Sequence, residues 1–269
     1  MAAGAKQALH HAFTVLLEAG DEVLVPAPYW VSYPHLISLA GGVVVAVEAG
    51  PGLKITPRVL RNAVTPCTRV LLLNSPADPT GVVCSRTELT ELAAVVIEHH
   101  LTIVSDEICD HWDFGETTFT SVAALSPQIA QRTDTIGGVS KTYAVIGWRI
   151  DWIAAPEPVA EAIAAVQSHT ASALSSISQR AALGVLEADL SGALTEELGS
   201  RRAALDARGL TTLKALAGIP RIVVDSGPTG AFFLFADVSG TYGFTCDGSA
   251  ISSAADFAAP HYVRISYQG

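Results

Sequence analysis

The sequence predicts an α/β fold: a doubly wound, mostly parallel sheet flanked by helices, followed by a reduced C-terminal α+β unit. Three observations carry this. Continuously apolar runs such as Arg69 to Leu73 and Leu101 to Val104 have the character of strands covered on both faces, as in parallel sheets. Stretches of helical period lie between such runs, so strand and helix alternate along most of the chain. Polar or proline- and glycine-rich loops follow the apolar runs directly, at the strand ends where open α/β sheets bind ligands.

Gly4 to Glu18 reads as an amphipathic helix, with Leu9, Phe13, Leu16 and Leu17 at helical spacing and Gly20 as its stop. Its small-residue start offers unpaired backbone N–H groups and the positive end of the helix dipole. Gly4, Ala5 and Lys6 are therefore candidates for cradling a phosphate. A strand, Glu22 to Val25, leads into the loop Pro26-Ala27-Pro28-Tyr29-Trp30, where Pro28 presents the aromatic pair on a stiff support. A helix to Ala40, a strand at Val43 to Val47 and a helix around Pro57 to Ala63 follow.

The strand Arg69 to Leu73 ends in Asn74-Ser75-Pro76-Ala77-Asp78-Pro79-Thr80-Gly81, a loop fixed by two prolines and a glycine. Ser85 with Glu88 three residues on forms a capping box, and Leu89, Leu92 and Val96 give that helix its buried face. The strand Leu101 to Val104 delivers Ser105-Asp106-Glu107-Ile108-Cys109-Asp110, and an acid at such a strand end is either a helix cap or a functional carboxylate. Thr133 to Ile136 and Trp148 to Ala154 read as strands, and Val159 to Val166 and Ile177 to Glu187 as helices. A longer charged helix, Leu190 to Arg208, interrupted at Gly199, bridges a large domain at 1–209 to a small one at 210–269. The small domain holds strands at Ala231 to Phe235 and Tyr262 to Tyr267.

The 269 residues suffice for one or two domains with a sizeable core. With 49% hydrophobic and 16% charged residues the composition is that of a compact soluble protein, which sets aside disorder and fibres. A net charge of −10, with 16 dispersed Lys and Arg, argues against nucleic acid as a partner. Cys67, Cys84, Cys109 and Cys246 lack the spacing of a zinc site or a dense disulfide framework and read as reduced cytoplasmic thiols. Adjacent histidines on a helix, His10-His11 and His99-His100, face different ways, so no metal is expected. No basic leader and no long apolar segment appears, and neither export nor a membrane is expected.

The richest segment is Gly137 to Arg149, GGVSKTYAVIGWR. Lys141 follows a small, polar run and stands eight residues before Arg149. Partial burial and nearby cations turn a lysine amine into a Schiff-base former, and small neighbours let a flat ligand approach the backbone. The same residues also read as a surface lysine on a glycine loop.

SKTYAVIGWRI resembles the cofactor-lysine motif of the class I/II aminotransferases, fold-type-I enzymes dependent on pyridoxal 5'-phosphate, and especially their aspartate-aminotransferase-like branch. The resemblance implies that Lys141 carries the cofactor as an imine while Ser140 and Arg149 hold its phosphate. GAKQAL is similar to the family's phosphate cup, which implies Gly4, Ala5 and Lys6 for the same group. By APYWVSYP, Trp30 stacks on the pyridine ring. By SDEI, Asp106 pairs with the protonated ring nitrogen. HYVRISYQG resembles the segment whose arginine forks the substrate α-carboxylate, here Arg264, a task suited to the planar guanidinium. The implied partners are an amino acid, a 2-oxo acid and a second copy of the chain in a homodimer.

The sequence departs from the pattern in places. Asp78 stands where the family's N-x-P-x-N-P-T-G has an asparagine that donates to the cofactor's phenolic oxygen, and Cys109 where a tyrosine gives a second donor. Gly138 stands where a serine often contacts the phosphate. The resemblance also implies an N-terminal arm with substrate-site residues and a partner-subunit tyrosine, a strand and loop before Pro260, and C-terminal helices, segments that this sequence does not contain. Transamination is the expected activity. The departures leave open another pyridoxal-phosphate reaction, such as elimination, decarboxylation or cyclisation, and a non-catalytic binding protein on the same fold.

Overall fold

The computed structural model describes residues 1–224, 227, 229–241, 251–252, 257–259 and 261–268; Cys246 and Pro260, read above, lie outside these. The chain opens with α1 (Ala5–Leu16), β1 (Glu22–Ala27), α2 (Tyr33–Leu39) and β2 (Val43–Glu48). Then come α3 (Pro57–Ala63), β3 (Thr68–Asn74), α4 (Arg86–Glu98), β4 (Thr102–Asp106), α5 (Pro127–Ala130) and β5 (Thr133–Gly138). After β6 (Asp151–Ala154) the helices α6 (Glu157–Thr170), α7 (Ser176–Leu190) and α8 (Thr195–Ala217) follow in succession. The C-terminal strands are β7 (Val223–Val224), β8 (Phe233–Asp237), β9 (Ile251–Ser252) and β10 (Tyr262–Ser266).

The first sheet has the order β2-β1-β3-β4-β5-β6, parallel except for β6, which runs antiparallel to β5. Period-two alternation gives each of its faces a core. Val23, Val25, Val70 and Leu72 pack with Leu9 and Phe13 of α1, while Leu24, Leu71 and Leu73 pack with Leu89, Leu92 and Val96 of α4. Leu24 and Leu71 are fully buried, and truncating either to alanine would cost about 2–5 kcal/mol. The capping box at α4 forms as its spacing predicts: Ser85 Oγ accepts from Glu88 N, and Glu88 Oε2 accepts from Ser85 N at 2.7 Å.

Most element ends shift by one or two residues, and two boundaries differ more from the sequence reading. The strand expected from Trp148 begins only at Asp151, because Ile146–Trp148 forms a 3-10 turn and Arg149 takes a left-handed φ of 57° that redirects the chain. The interrupted helix expected over Leu190 to Arg208 is instead the end of α7, a turn, and an unbroken α8 that passes through both Gly199 and Gly209. Gly199 faces open space, and one glycine costs a helix only about 1 kcal/mol, too little to break 23 residues. The chain therefore approaches the second sheet along a continuous helix.

Among the described residues the second sheet has the order β7-β8-β10-β9 and is antiparallel. It docks on the loop after β3. Thr229 Oγ1 donates to Gly81 O at 3.0 Å and accepts from Val83 N at 3.1 Å, and Phe114 N donates to Thr229 O at 2.7 Å. This seam sets Phe232 and Phe233 over the carboxyl ends of the first sheet.

Candidate active site

Parallel register brings the strand ends level: Asn74 lies opposite Asp106 across β3 and β4, and Asp106 opposite Ile136 across β4 and β5. Beyond this edge is a cavity of about 180 Å³, bounded by the start of α1, the loop before α2, the turn after β5 and Phe233. Of the residues singled out in the sequence, Ala5, Lys6, Trp30, Asp78, Asp106, Cys109, Ser140, Lys141 and Arg149 line it. Gly4 and Arg264 stand one contact away, Gly4 against Arg149 and Arg264 against Asp78.

Asp106 ends β4 and is buried. Its Oδ2 accepts from Tyr33 Oη at 2.7 Å, its Oδ1 from Ile108 N at 3.3 Å, and its backbone carbonyl accepts from Asn74 Nδ2 at 2.9 Å. Burial pushes its pKa up to about 6, held from rising further by the Tyr33 and Ile108 hydrogen bonds. The result is a fixed carboxyl group suited to a protonated ring nitrogen. Sequence reasoning passed over Tyr33 and Asn74 as its supports. Tyr33 stood inside the quoted APYWVSYP as its one aromatic residue after Trp30, and it meets Trp30 edge-on at 5.3 Å between centroids.

Lys141 lies in the turn after β5, its Nζ 5.2 Å from the centre of the Phe232 ring. The ammonium of Lys6 lies 5.0 Å from the Trp30 ring centre, so this side chain reaches the aromatic wall rather than the start of its own helix. Burial pushes the Cys109 thiol well up despite the opposing charge of Lys141, leaving a neutral group there. Asp78 is held by its backbone, with N donating to Asn74 Oδ1 at 2.7 Å. Both its carboxylate oxygens accept from Arg264 Nη1, at 2.7 and 2.8 Å. Burial raises its pKa, while Arg264 and Lys141 oppose the rise.

The other end of the cavity is built from α1, Ser140 and the Arg149 turn. Gly4 caps α1 at φ 99°, and a Cβ there would overlap the Arg149 guanidinium. Arg149 is tied to this end by Nη2 donating to Ala3 O and Nη1 to Ile146 O, each at 2.8 Å. The helix start, the Ser140 backbone and hydroxyl, and the guanidinium form a donor set suited to an anion. Asp151, a residue not singled out in the sequence, projects into that set. Its Oδ2 accepts from Ala5 N at 2.8 Å and Ser140 Oγ at 2.9 Å, and its Oδ1 from Ser140 N at 3.2 Å. The available signal was an acid within the otherwise apolar run Ile150-Asp151-Trp152-Ile153-Ala154.

Residues 1–267 match the sequence profile described as aminotransferase class I and II. The chain is 40% identical over 250 residues to an aspartate/prephenate aminotransferase of Cereibacter sphaeroides, covering 92% of this chain and 61% of that protein. It is 41% identical over 234 residues to an aspartate aminotransferase of Geobacillus stearothermophilus, covering 86% and 58%. The chain thus spans about three fifths of the length of these curated relatives. The structure superposes over its whole length on the aspartate aminotransferase of Rhizobium meliloti, with a TM-score of 0.90, 32% identity and 71% of that chain covered. An aromatic aminotransferase of Pyrococcus horikoshii gives a TM-score of 0.89 at 33% identity, with 73% of that chain covered.

Proposed function

We propose, from the premise that this chain belongs to the class I and II aminotransferase family, that it binds pyridoxal 5'-phosphate on Lys141 and moves an amino group between an amino acid and a 2-oxo acid. The observation that carries the reading is the convergence of Lys141, Asp106 and Trp30 on one cavity from the turn after β5, the end of β4 and the loop before α2. These residues fit the cofactor's aldehyde, ring nitrogen and ring face. The phosphate-end donors, Ala5 N, Ser140 and Arg149, suit its anionic group as well, although Asp151 engages two of them. When bound, the cofactor supplies an electron sink that stabilises negative charge at the substrate α-carbon.

The protein's own part is positioning and proton transfer. Lys141 Nζ is the base that takes the α-proton and the acid that returns it. Asp106, braced by Tyr33 and Ile108, keeps the ring nitrogen protonated, and Trp30 fixes the ring plane. Arg264 is the group for the α-carboxylate, and its approach to Asp78 sets this cation at the edge of the cavity. On this reading 1–209 form a cofactor-binding domain and 210–269 a small domain, with α8 spanning the boundary. The working form is a homodimer, supported by the exposed Leu39, Ile146, Trp148 and Ile177, and a monomer in sedimentation at micromolar concentration would count against it. No helix of the described residues is long and apolar enough to cross a membrane.

One observation favours a second reading. The two positions that would meet the cofactor's phenolic oxygen hold Asp78, paired to Arg264, and the buried thiol of Cys109 in place of the usual neutral donors, an alteration that favours an elimination, decarboxylation or cyclisation on the same cofactor. A single turnover with an amino-acid substrate separates the two. Transamination leaves an oxo acid and pyridoxamine phosphate, the second reading leaves product with the aldehyde cofactor restored, and neither outcome would leave a binding protein.

A further inference from the structure

We infer that Asp151 is an internal occupant of the anion end of the cavity, so that a phosphate-bearing cofactor must compete with the chain's own carboxylate for Ala5 and Ser140. The inference rests on the reading above, since it takes the cavity to be the pyridoxal phosphate site.

Three contacts define the occupancy. Ala5 N and Ser140 Oγ converge on Oδ2 at 2.8 and 2.9 Å, and Ser140 N reaches Oδ1 at 3.2 Å. Each of these donors has one hydrogen to give, so a phosphate oxygen and Asp151 cannot both use it. The carboxylate is also held in place by its backbone. Asp151 N donates to Ala2 O at 3.1 Å, Ala2 N donates to Asp151 O at 2.8 Å, and β6 registers Asp151 opposite Gly138. This fastens the side chain between the start of α1 and the turn carrying Ser140. A dianion entering beside it meets like charge in a buried setting as well as engaged donors.

Gly138 is the second half of the arrangement. A Cβ at that position would overlap Oδ1, Cγ and Cβ of Asp151. The space where a side chain at 138 would reach the anion end is thus taken by a side chain from the neighbouring strand. Glycine at 138 and aspartate at 151 depend on one another: the first makes room and the second fills it with a negative group.

The consequence is selectivity at one end of the ligand only. Trp30, Asp106 and Lys141 meet the ring and the aldehyde and are indifferent to the phosphate. The full chain should therefore bind pyridoxal, which lacks the phosphate, with affinity comparable to pyridoxal phosphate. Absorbance titrations of both compounds against wild type, Asp151→Gly and Asp151→Asn test this, with circular dichroism to check folding. Asp151→Gly should tighten pyridoxal phosphate alone, roughly ten- to a hundredfold, the size of one or more charge-assisted hydrogen bonds regained, and Asp151→Asn should follow in the same direction. Inorganic phosphate alone, with no cofactor present, should bind Asp151→Gly more tightly than wild type.

The wild-type comparison stands even if a variant fails to fold. A wild type that strongly prefers pyridoxal phosphate over pyridoxal overturns the inference, as does an affinity ratio unchanged in both variants. Those results leave the proposed function intact. If neither compound attaches to Lys141 in any of the three proteins, the proposed function and this inference are overturned together.

Discussion

Arg264 and Asp78 lie 186 residues apart in sequence, yet a single guanidinium nitrogen of Arg264 donates to both Asp78 oxygens, at 2.7 and 2.8 Å. The pair joins β10 of the second sheet to the loop after β3 and is only one-fifth exposed on either side. Phe233 and Phe257 lie 4.9 and 5.3 Å from the guanidinium carbon and limit how far it can move. Asp78 thus carries a negative charge within the field of Lys141 while engaging the cation assigned to the substrate carboxylate.

Asp78→Asn removes that charge. A carboxylate near the Lys141–cofactor nitrogen favours its protonated state, so the titration midpoint of the cofactor chromophore should fall by roughly one to three units in the variant. Affinity for a 2-oxo acid should rise as Arg264 loses its ionic partner. A spectrophotometric pH titration and a 2-oxo acid binding curve check both. An unchanged or higher midpoint would mean that Asp78 does not act on the cofactor.

Tyr33→Phe tests the support beneath Asp106. The Tyr33 hydrogen bond stabilises the charged carboxylate, so its loss should raise the Asp106 pKa above the present value of about 6. The acidic limb of the activity profile should move to higher pH, by about one unit for one hydrogen bond to a charged group. A limb that stays in place would show that Asp106 does not control it.

Asp134, on β5, is fully buried, and neither of its oxygens has a hydrogen-bond partner among the described residues. Burial raises its pKa from 3.8 to about 7. Between those values the folded chain holds a proton that the unfolded chain has released, so stability falls as pH rises through the window and levels off above it. Asp134→Asn removes this contribution. Urea unfolding at about pH 5 and about pH 8 should show the difference in stability between them shrinking by roughly 2–4 kcal/mol in the variant, at about 1.4 kcal/mol per pH unit. Identical differences in both proteins would contradict the assignment.

Much of the fold was legible because its signals are local. Apolar runs marked β3 and β4, and Ser85 with Glu88 marked the start of α4. The quoted motifs carried Lys141, Asp106, Trp30 and Ser140, which the fold then gathers at one cavity. What could not be read depended on distance in sequence. The Asp78–Arg264 pair needs the second sheet docked on the first, and the reach of Asp151 to Ser140 needs β6 to lie antiparallel beside β5. Gly199 was read as an interruption because glycine lowers helix propensity, yet α8 continues through it because the surrounding turns outweigh that cost. Arg149 was read inside a strand, while it takes a left-handed φ and its side chain ties to Ala3, a contact that no pattern of period two or 3.6 announces.

The central claim is that Lys141 carries the cofactor, and borohydride reduction of the pyridoxal-phosphate-treated chain followed by peptide mapping tests it most directly. The other lysines are few: Lys6, Lys54 and Lys214. Lys54 is engaged by Glu88 at 2.8 Å, and Lys6 points its ammonium at Trp30 within the same cavity, so the map must discriminate between neighbours. The account predicts a pyridoxyl label on Lys141 that is lost in Lys141→Ala. A label confined to Lys6, or the absence of any label together with any cofactor chromophore, would contradict it.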